Sequence, residues 1–153
     1  MSMFSSFNVN ASGLTAQRLR MDTISENVAN ANTTRTADGS PYVRKIVTFG
    51  TKGSDQFGSH ASFHKVLRGE VANYAGRGVK VNGIYEDKST EGNLVYDPSH
   101  PDADENGYVL YPNVNIITEM TNLIDASRAY EANATAFGAS KAMAQQGLQI
   151  GQS

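Results

Sequence analysis

Along residues 112–149, apolar side chains return at alternating steps of three and four, the spacing of a helix that lays one seam against a partner. The positions are Ile116, Met120, Leu123, Ser127, Tyr130, Ala134, Phe137, Lys141, Ala144 and Leu148, eight of the ten apolar. A second stripe, Ala129, Ala132, Ala136, Ala139 and Met143, keeps the same spacing on nearly the opposite face. A helix on the outside of a monomeric globule carries one apolar face. Two such faces predict a helix that lies between partners, and the alanines of the second let a neighbouring backbone come close. About 37 helical residues span roughly 55 Å, whereas a compact chain of this length is about 38 Å across. The helix is therefore expected to overhang any domain the chain builds alone.

A second helix is predicted over 7–31. Phe7, Leu14, Met21 and Val28 fall at intervals of seven, Ile24 and Ala31 occupy the intermediate column, and Asn10 and Gln17 interrupt it. Polar seam residues weaken such pairing but fix its register. Ala16 and Leu19 lie off the stripe, and Ser5, Ser6 or Asn8 is expected to cap the start. Asn27, Asn30 and Asn32 crowd the end of the heptads. Asparagine tolerates the left-handed conformation and can bond the free carbonyls of a last turn, so these residues read as a helix exit.

Between the helices the period shortens. Residues 42–49, leaving an Asp38-Gly39 turn, and the runs 79–85, 94–96 and 108–111 are rich in β-branched and aromatic side chains and are read as short strands. Asn82-Gly83 makes either a hairpin turn or a bulge, and the bulge is favoured because 85–89 otherwise has little to pair with. Residues 50–78 are punctuated by glycine. Phe63, Leu67, Val71 and Tyr74 would share one face of a short helix containing Gly69, and a flexible arm that orders on a neighbour fits equally well. The whole reads as α+β. Residues 1–35 form an N-terminal helical region and 112–153 a C-terminal one, the two helices pairing as an antiparallel coiled coil. The β-rich middle is 36–111, with the arm at 50–78.

Composition narrows the function. Thirteen basic and fifteen acidic side chains in 153 residues leave no basic stripe for nucleic acid and no cationic block for an anionic membrane. No run approaches 18 apolar residues, so no membrane insertion is expected. Residues 1–10 have neither a charged leader nor an apolar stretch, so no conventional cleaved signal is expected. Either the protein stays in the cytoplasm or another export route carries it. Cysteine is absent, which removes disulfides, thiolate catalysis and Cys-ligated zinc.

Two groupings invite a metal. His60 and His64 stand four apart, but no glutamate lies between them as in a metalloprotease helix, and His100 is the only other histidine. Asp102 to Gly107 copies the first six positions of an EF-hand loop, yet the twelfth is Asn113 where a bidentate glutamate is required, and His100-Pro101 precedes it where a helix should enter. An Asp/Asn-rich turn before a strand accounts for it. No nucleophile elbow, Walker loop or dinucleotide fingerprint is present, and Gly76-Arg77-Gly78 lacks the third glycine. Asp22, Glu26, Glu119 and Asp125 are expected on helix surfaces, solvated or paired with Arg18, Arg20 or Arg128. No catalytic residue, metal or cofactor is predicted.

Three motifs carry a resemblance. Ser12 through Asp22, continuing through Asn27-Val28-Ala29-Asn30-Ala31-Asn32-Thr33, resembles the N-terminal signature of bacterial flagellar axial proteins, which form rod, hook and hook-filament junction. Ala126 through Asn133 is similar to their C-terminal signature. Tyr96 through Asp104, with Asn106-Gly107-Tyr108-Val109 and Tyr111 through Asn115, resembles the proximal rod members of that family, as does Thr34-Arg35-Thr36 where many axial proteins have Thr-x-Gly-Tyr. The motifs cover about 70 residues, and the middle of the chain matches much less. The resemblance implies a structural subunit, exported by the flagellar type III apparatus without a cleaved signal and assembled in the periplasm. Its partners would be further copies of itself, the other proximal and distal rod proteins and the rod-ring adaptor, in a helical hetero-oligomer. The subunit interfaces are expected at Phe7, Leu14, Met21, Ile24, Val28, Asn27 and Asn30 on the first helix. On the second they are Ile116, Met120, Leu123, Tyr130, Phe137 and Leu148, with Ala129, Ala132, Ala136 and Ala139 behind. The competing reading is a soluble helical adaptor or export-chaperone-like module that holds a partner transiently.

Overall fold

The long heptad runs form helices at both ends of the chain. The structure, a computed structural model, describes residues 3–52 and 78–151. The order is α1 (Met3–Ala29), β1 (Lys45–Thr51), β2 (Val79–Glu86), β3 (Asn93–Tyr96), β4 (Tyr108–Tyr111) and α2 (Ile116–Ile150). His60, His64 and nearly all of the arm or short helix expected between 50 and 78 lie outside the described residues.

α1 begins upstream of every residue expected to cap it, so Ser5, Ser6 and Asn8 lie inside the helix. Its exit does use asparagine, though not in a left-handed conformation, since the only positive φ angles among the described residues belong to Gly39 and Gly107. Instead the Asn30 side chain donates to the Glu26 carbonyl at 3.0 Å, a second bond to a group that already accepts the Asn30 N–H at 3.1 Å. At the start of α2, Asn115 accepts the N–H groups of Ile117 and Thr118 at 3.0 and 3.2 Å. That is an N-cap in the usual geometry, and it explains why the helix starts after Asn115 and not at Pro112.

The described strands make two separate two-stranded sheets, β1 with β2 and β3 with β4. β1 starts at Lys45, three residues later than the strand expected at Tyr42. Bonds beyond the ends of the first sheet, Asp87 N–H to Arg44 O and Lys52 N–H to Gly78 O, make it antiparallel. Arg44 to Lys52 is eight steps and Gly78 to Asp87 is nine, so the β2 side carries one extra residue, as a bulge requires. β2 runs through Asn82-Gly83 without turning, as the favoured bulge expected, and Tyr85 and Glu86 belong to it. β3 and β4 pair antiparallel, Asn93 opposite Tyr111, Leu94 opposite Leu110, Val95 opposite Val109 and Tyr96 opposite Tyr108. Their connection is pinned by Asp104, whose carboxylate accepts the N–H groups of Asn106 and Tyr108, and by Gly107 at φ +81°.

The described residues divide into two compact units. One comprises 3–18, 49–52, 78–82 and 127–151; the other comprises Leu19–Thr48 and Gly83–Ala126. Most buried side chains belong to the second: Thr23, Ile24, Asn27, Ala31, Tyr42, Val109, Glu119 and Ala126.

Candidate functional site: the helix faces and a buried polar hub

In the first unit, the Phe7 and Phe137 rings meet edge to face with centroids 5.1 Å apart. A Cβ on Gly13 would lie 2.8 Å from Asn133 Oδ1, so the two helices approach as closely as a glycine permits. As the α1 number rises the α2 number falls, which makes the helices antiparallel in this unit. Gly78 lies as tightly against Ser12, whose hydroxyl donates to the Val9 carbonyl and accepts the Val79 N–H.

The second unit is held by a polar hub that heptad reasoning does not find. Asn27 is 0% exposed and Glu119 is 1% exposed. The Asn27 amide nitrogen donates to the Lys45 carbonyl at 2.8 Å and to Glu119 Oε2 at 3.0 Å. Its oxygen accepts from the Tyr42 hydroxyl and from the Lys45 N–H, each at 2.9 Å. All four hydrogen-bonding positions of the side chain are thereby used. Glu119 Oε1 accepts two bonds from Arg44, at 2.9 Å from Nε and 2.7 Å from a terminal nitrogen. A buried charge persists only when paired and hydrogen-bonded in this way. Arg44 also lies 3.6 Å from Asp87, and Lys45 pairs with Glu26.

This overturns the expectation that Glu119 sits solvated on a helix surface or pairs with Arg18, Arg20 or Arg128. Burial first, then the charges of Glu26, Glu119 and Glu86, push the Tyr42 hydroxyl up to about 12. The Asp87 carboxylate accepts bonds from the Ser89 and Thr90 hydroxyls, which hold its pKa down at about 2. Asn113 completes the surroundings, accepting the Arg44 N–H and donating to the carbonyls of Asp87 and Thr90.

Both helices turn inward a stripe one residue earlier than the apolar stripe of the sequence. Gly13, Thr23 and Asn27 are buried where Leu14 and Val28 are only partly covered, although Ile24 is buried as well. Glu119 and Ala126 are buried where Ile116, Met120 and Leu148 stand exposed. One residue is about 100° of helix. The reason is size: small and mutually bonded polar groups let two backbones close on each other, and the bulkier aliphatic side chains are left outside. Of the expected interface residues, Asn27 and Ile24 are therefore interior to the chain, and Asn27 has no bonding capacity left for a neighbour. Phe7, Leu14, Met21, Val28, Asn30, Leu123, Ala129, Tyr130 and Phe137 are half-buried; Ala132, Ala136 and Ala139 are exposed.

The turn expected to be a degenerate calcium loop uses its carboxylates structurally: Asp102 accepts from the Thr34 hydroxyl at 2.8 Å and lies 3.6 Å from Arg35. His100 accepts the Asp102 N–H. Among the described residues no three His, Asp or Glu side chains converge in a metal-holding group, and no helix is long and apolar enough to cross a membrane.

Among the described residues, long terminal helices flank a small β-rich middle and leave aliphatic faces unburied, an architecture that fits the structural flagellar axial class the sequence motifs resemble. Comparison agrees. The family described as "Flagella basal body rod protein" matches residues 7–35, and "Flagellar basal body rod FlgEFG protein C-terminal" matches residues 105–150. The chain is 46% identical to the flagellar basal-body rod protein FlgC of Bacillus subtilis, over 99% of both chains. It is 46% identical to that of Borreliella burgdorferi over 98% of both, and 35% identical to that of Salmonella typhimurium over 99% of this chain and all of the other. The chain belongs to the FlgC family of flagellar basal-body rod proteins, a structural and not an enzymatic family.

Proposed function

We propose that this chain is a subunit of the proximal rod of the flagellar basal body, polymerising through the outer faces of α1 and α2 into a helically arranged tube. The observation that carries the reading is the sidedness of α2. Its buried residues are Glu119 and Ala126, while Ile116, Ile117, Met120, Ile124, Met143, Leu148 and Ile150 are exposed. From 127 to 150 no residue is buried. A helix draws most of its stability from packing an apolar face, so this one calls for neighbours. The α1–α2 pair forms an antiparallel coiled coil in the polymer, and head-to-tail contacts that do not close on themselves extend it.

Membership of the family supports the proposed setting. Partners are further copies and the other rod proteins, together with the rod-ring adaptor, and the subunit reaches the periplasm through the flagellar export apparatus without a cleaved signal. Replacement of Ala132 or Ala136 by phenylalanine tests the contact faces. Both alanines are exposed in the single chain, so the variant should keep the second unit folded and fail to enter purified basal bodies. Normal incorporation of either variant would overturn the reading.

A further inference from the structure

The first turns of α2 carry an aliphatic patch with a single sulfur at its centre. At about 100° per residue, Ile116, Ile117, Met120, Leu123 and Ile124 share an arc of roughly 120°, and Met120 stands in the middle of it. Ile116, Ile117, Met120 and Ile124 are 42, 78, 55 and 54% exposed, while Leu123, at the edge of the arc nearest the buried Glu119, is half-covered. The residues three and four steps from Met120 in both directions are therefore all hydrocarbon.

The sulfur chemistry of the chain singles out the same position. Cysteine is absent, so methionine is the only sulfur present. Of the methionines whose side chains are described, Met21 is half-buried and Met120 and Met143 are exposed. Met143 has different company: Ala139, Ser140, Gln146 and Gly147 stand three and four steps away, all small or polar. Oxidation converts a flexible apolar thioether into a polar sulfoxide. At Met143 that change meets neighbours that bury little hydrocarbon. At Met120 it sets a strong acceptor in the middle of an aliphatic surface, where covering it without a donor is costly.

We infer that Met120 is an oxidation-sensitive site that controls whether a neighbouring subunit can cover α2. The oxidant is a hydroperoxide, hydrogen peroxide being the simplest. A lone pair of the thioether sulfur attacks one peroxide oxygen, and the O–O bond breaks as the S–O bond forms. The proton of the attacked oxygen passes to the departing hydroxide, which leaves as water, so sulfur loses two electrons and the peroxide gains two. A methionine sulfoxide reductase reverses the step, which makes the change a switch and not only damage. A subunit oxidised before assembly is held out of the polymer, and one already covered is shielded from the oxidant. The inference rests on the rod-subunit reading and adds to it a chemical control of the α2 face.

Glutamine, polar and similar in size to the sulfoxide, tests the consequence without the oxidant. In cells producing the full chain, Met120→Gln should lower incorporation into purified basal bodies at least tenfold. Met120→Leu should incorporate as the wild-type chain does, and Met143→Gln should lose less than Met120→Gln. Normal incorporation of Met120→Gln, failure of Met120→Leu alongside it, or equal loss at the two methionines overturns the inference and leaves the rod reading standing. Absence of the wild-type chain from basal bodies defeats both. Peptide mass spectrometry after hydrogen peroxide treatment reads the site itself. The gain of one oxygen at Met120 should accumulate at least tenfold faster in the purified chain than in isolated basal bodies. Circular dichroism of the oxidised chain should match that of the unoxidised one, since Met120 is already more than half exposed. Equal rates in the two samples, or helicity lost on oxidation, reject a control that acts on assembly.

Discussion

Asn27 and Glu119 stand 92 residues apart in the chain and meet in a bond from which water is shut out. Replacing Glu119 by alanine leaves Arg44 only its 3.6 Å contact with Asp87 and takes one acceptor from Asn27. Breaking one partner of a buried pair costs about 3 to 5 kcal/mol, and the partial exposure of Arg44 puts Glu119→Ala near the lower end. Glu119→Gln keeps acceptor and donor atoms in place and should lose less than half as much. Urea unfolding followed by tyrosine fluorescence measures both. Tyr42 makes a pH prediction. Its hydroxyl is pushed up to about 12 in the folded chain against an ordinary value of 10.0, so its contribution to stability is complete below pH 10 and disappears as the pH rises towards 12. An alkaline titration read by tyrosinate absorbance should show one late-ionising tyrosine, and Tyr42→Phe should abolish that step. Loss of the step in the wild-type chain before pH 11 would contradict the assigned environment.

At the scale of the elements, the helices and the β3 and β4 strands were legible in the sequence, because heptads and alternating aromatic or branched residues are local signals. The facing of the helices was not. A heptad reading assigns the largest aliphatic side chains to the seam, and here Gly13, Asn27, Glu119 and Ala126 form it instead. No local pattern marks a glutamate as interior when its arginine lies 75 residues away. The β2 bulge was half legible: Asn82-Gly83 announced an irregularity, but only the pairing with β1 shows that the strand continues. The glycine in the seam supplies a test. On propensity alone Gly13→Ala should stabilise α1 by up to about 1 kcal/mol. The added Cβ would sit 2.8 Å from Asn133 Oδ1, and Asn133 is tethered to the Ala129 carbonyl, so the single variant should instead destabilise the helix pair. Combining it with Asn133→Ala should recover the loss. Amide exchange across 127–150 reads the cycle, and a stabilised single variant would show that the close approach is absent.

For the molecule as a whole, the division of buried residues has a consequence in solution. Among the described residues the second unit holds nearly all of them, and no residue from 127 to 150 is buried. A dilute chain should therefore show less helicity by circular dichroism than its 27-residue and 35-residue helices would give, with the deficit made up as concentration rises or polymer forms. Full helicity at micromolar dilution, independent of concentration, would mean that a single copy satisfies its own helices.

Arg128 and Lys141 stand exposed on α2, each between a serine and an alanine. A trypsin-like housekeeping protease needs extended backbone, so it would cut at these positions where the helix of a stray copy frays, and would find them closed once the helix is covered and ordered. Incorporation would then double as a survival signal, trimming surplus copies and keeping supply matched to the number of places in the finished structure.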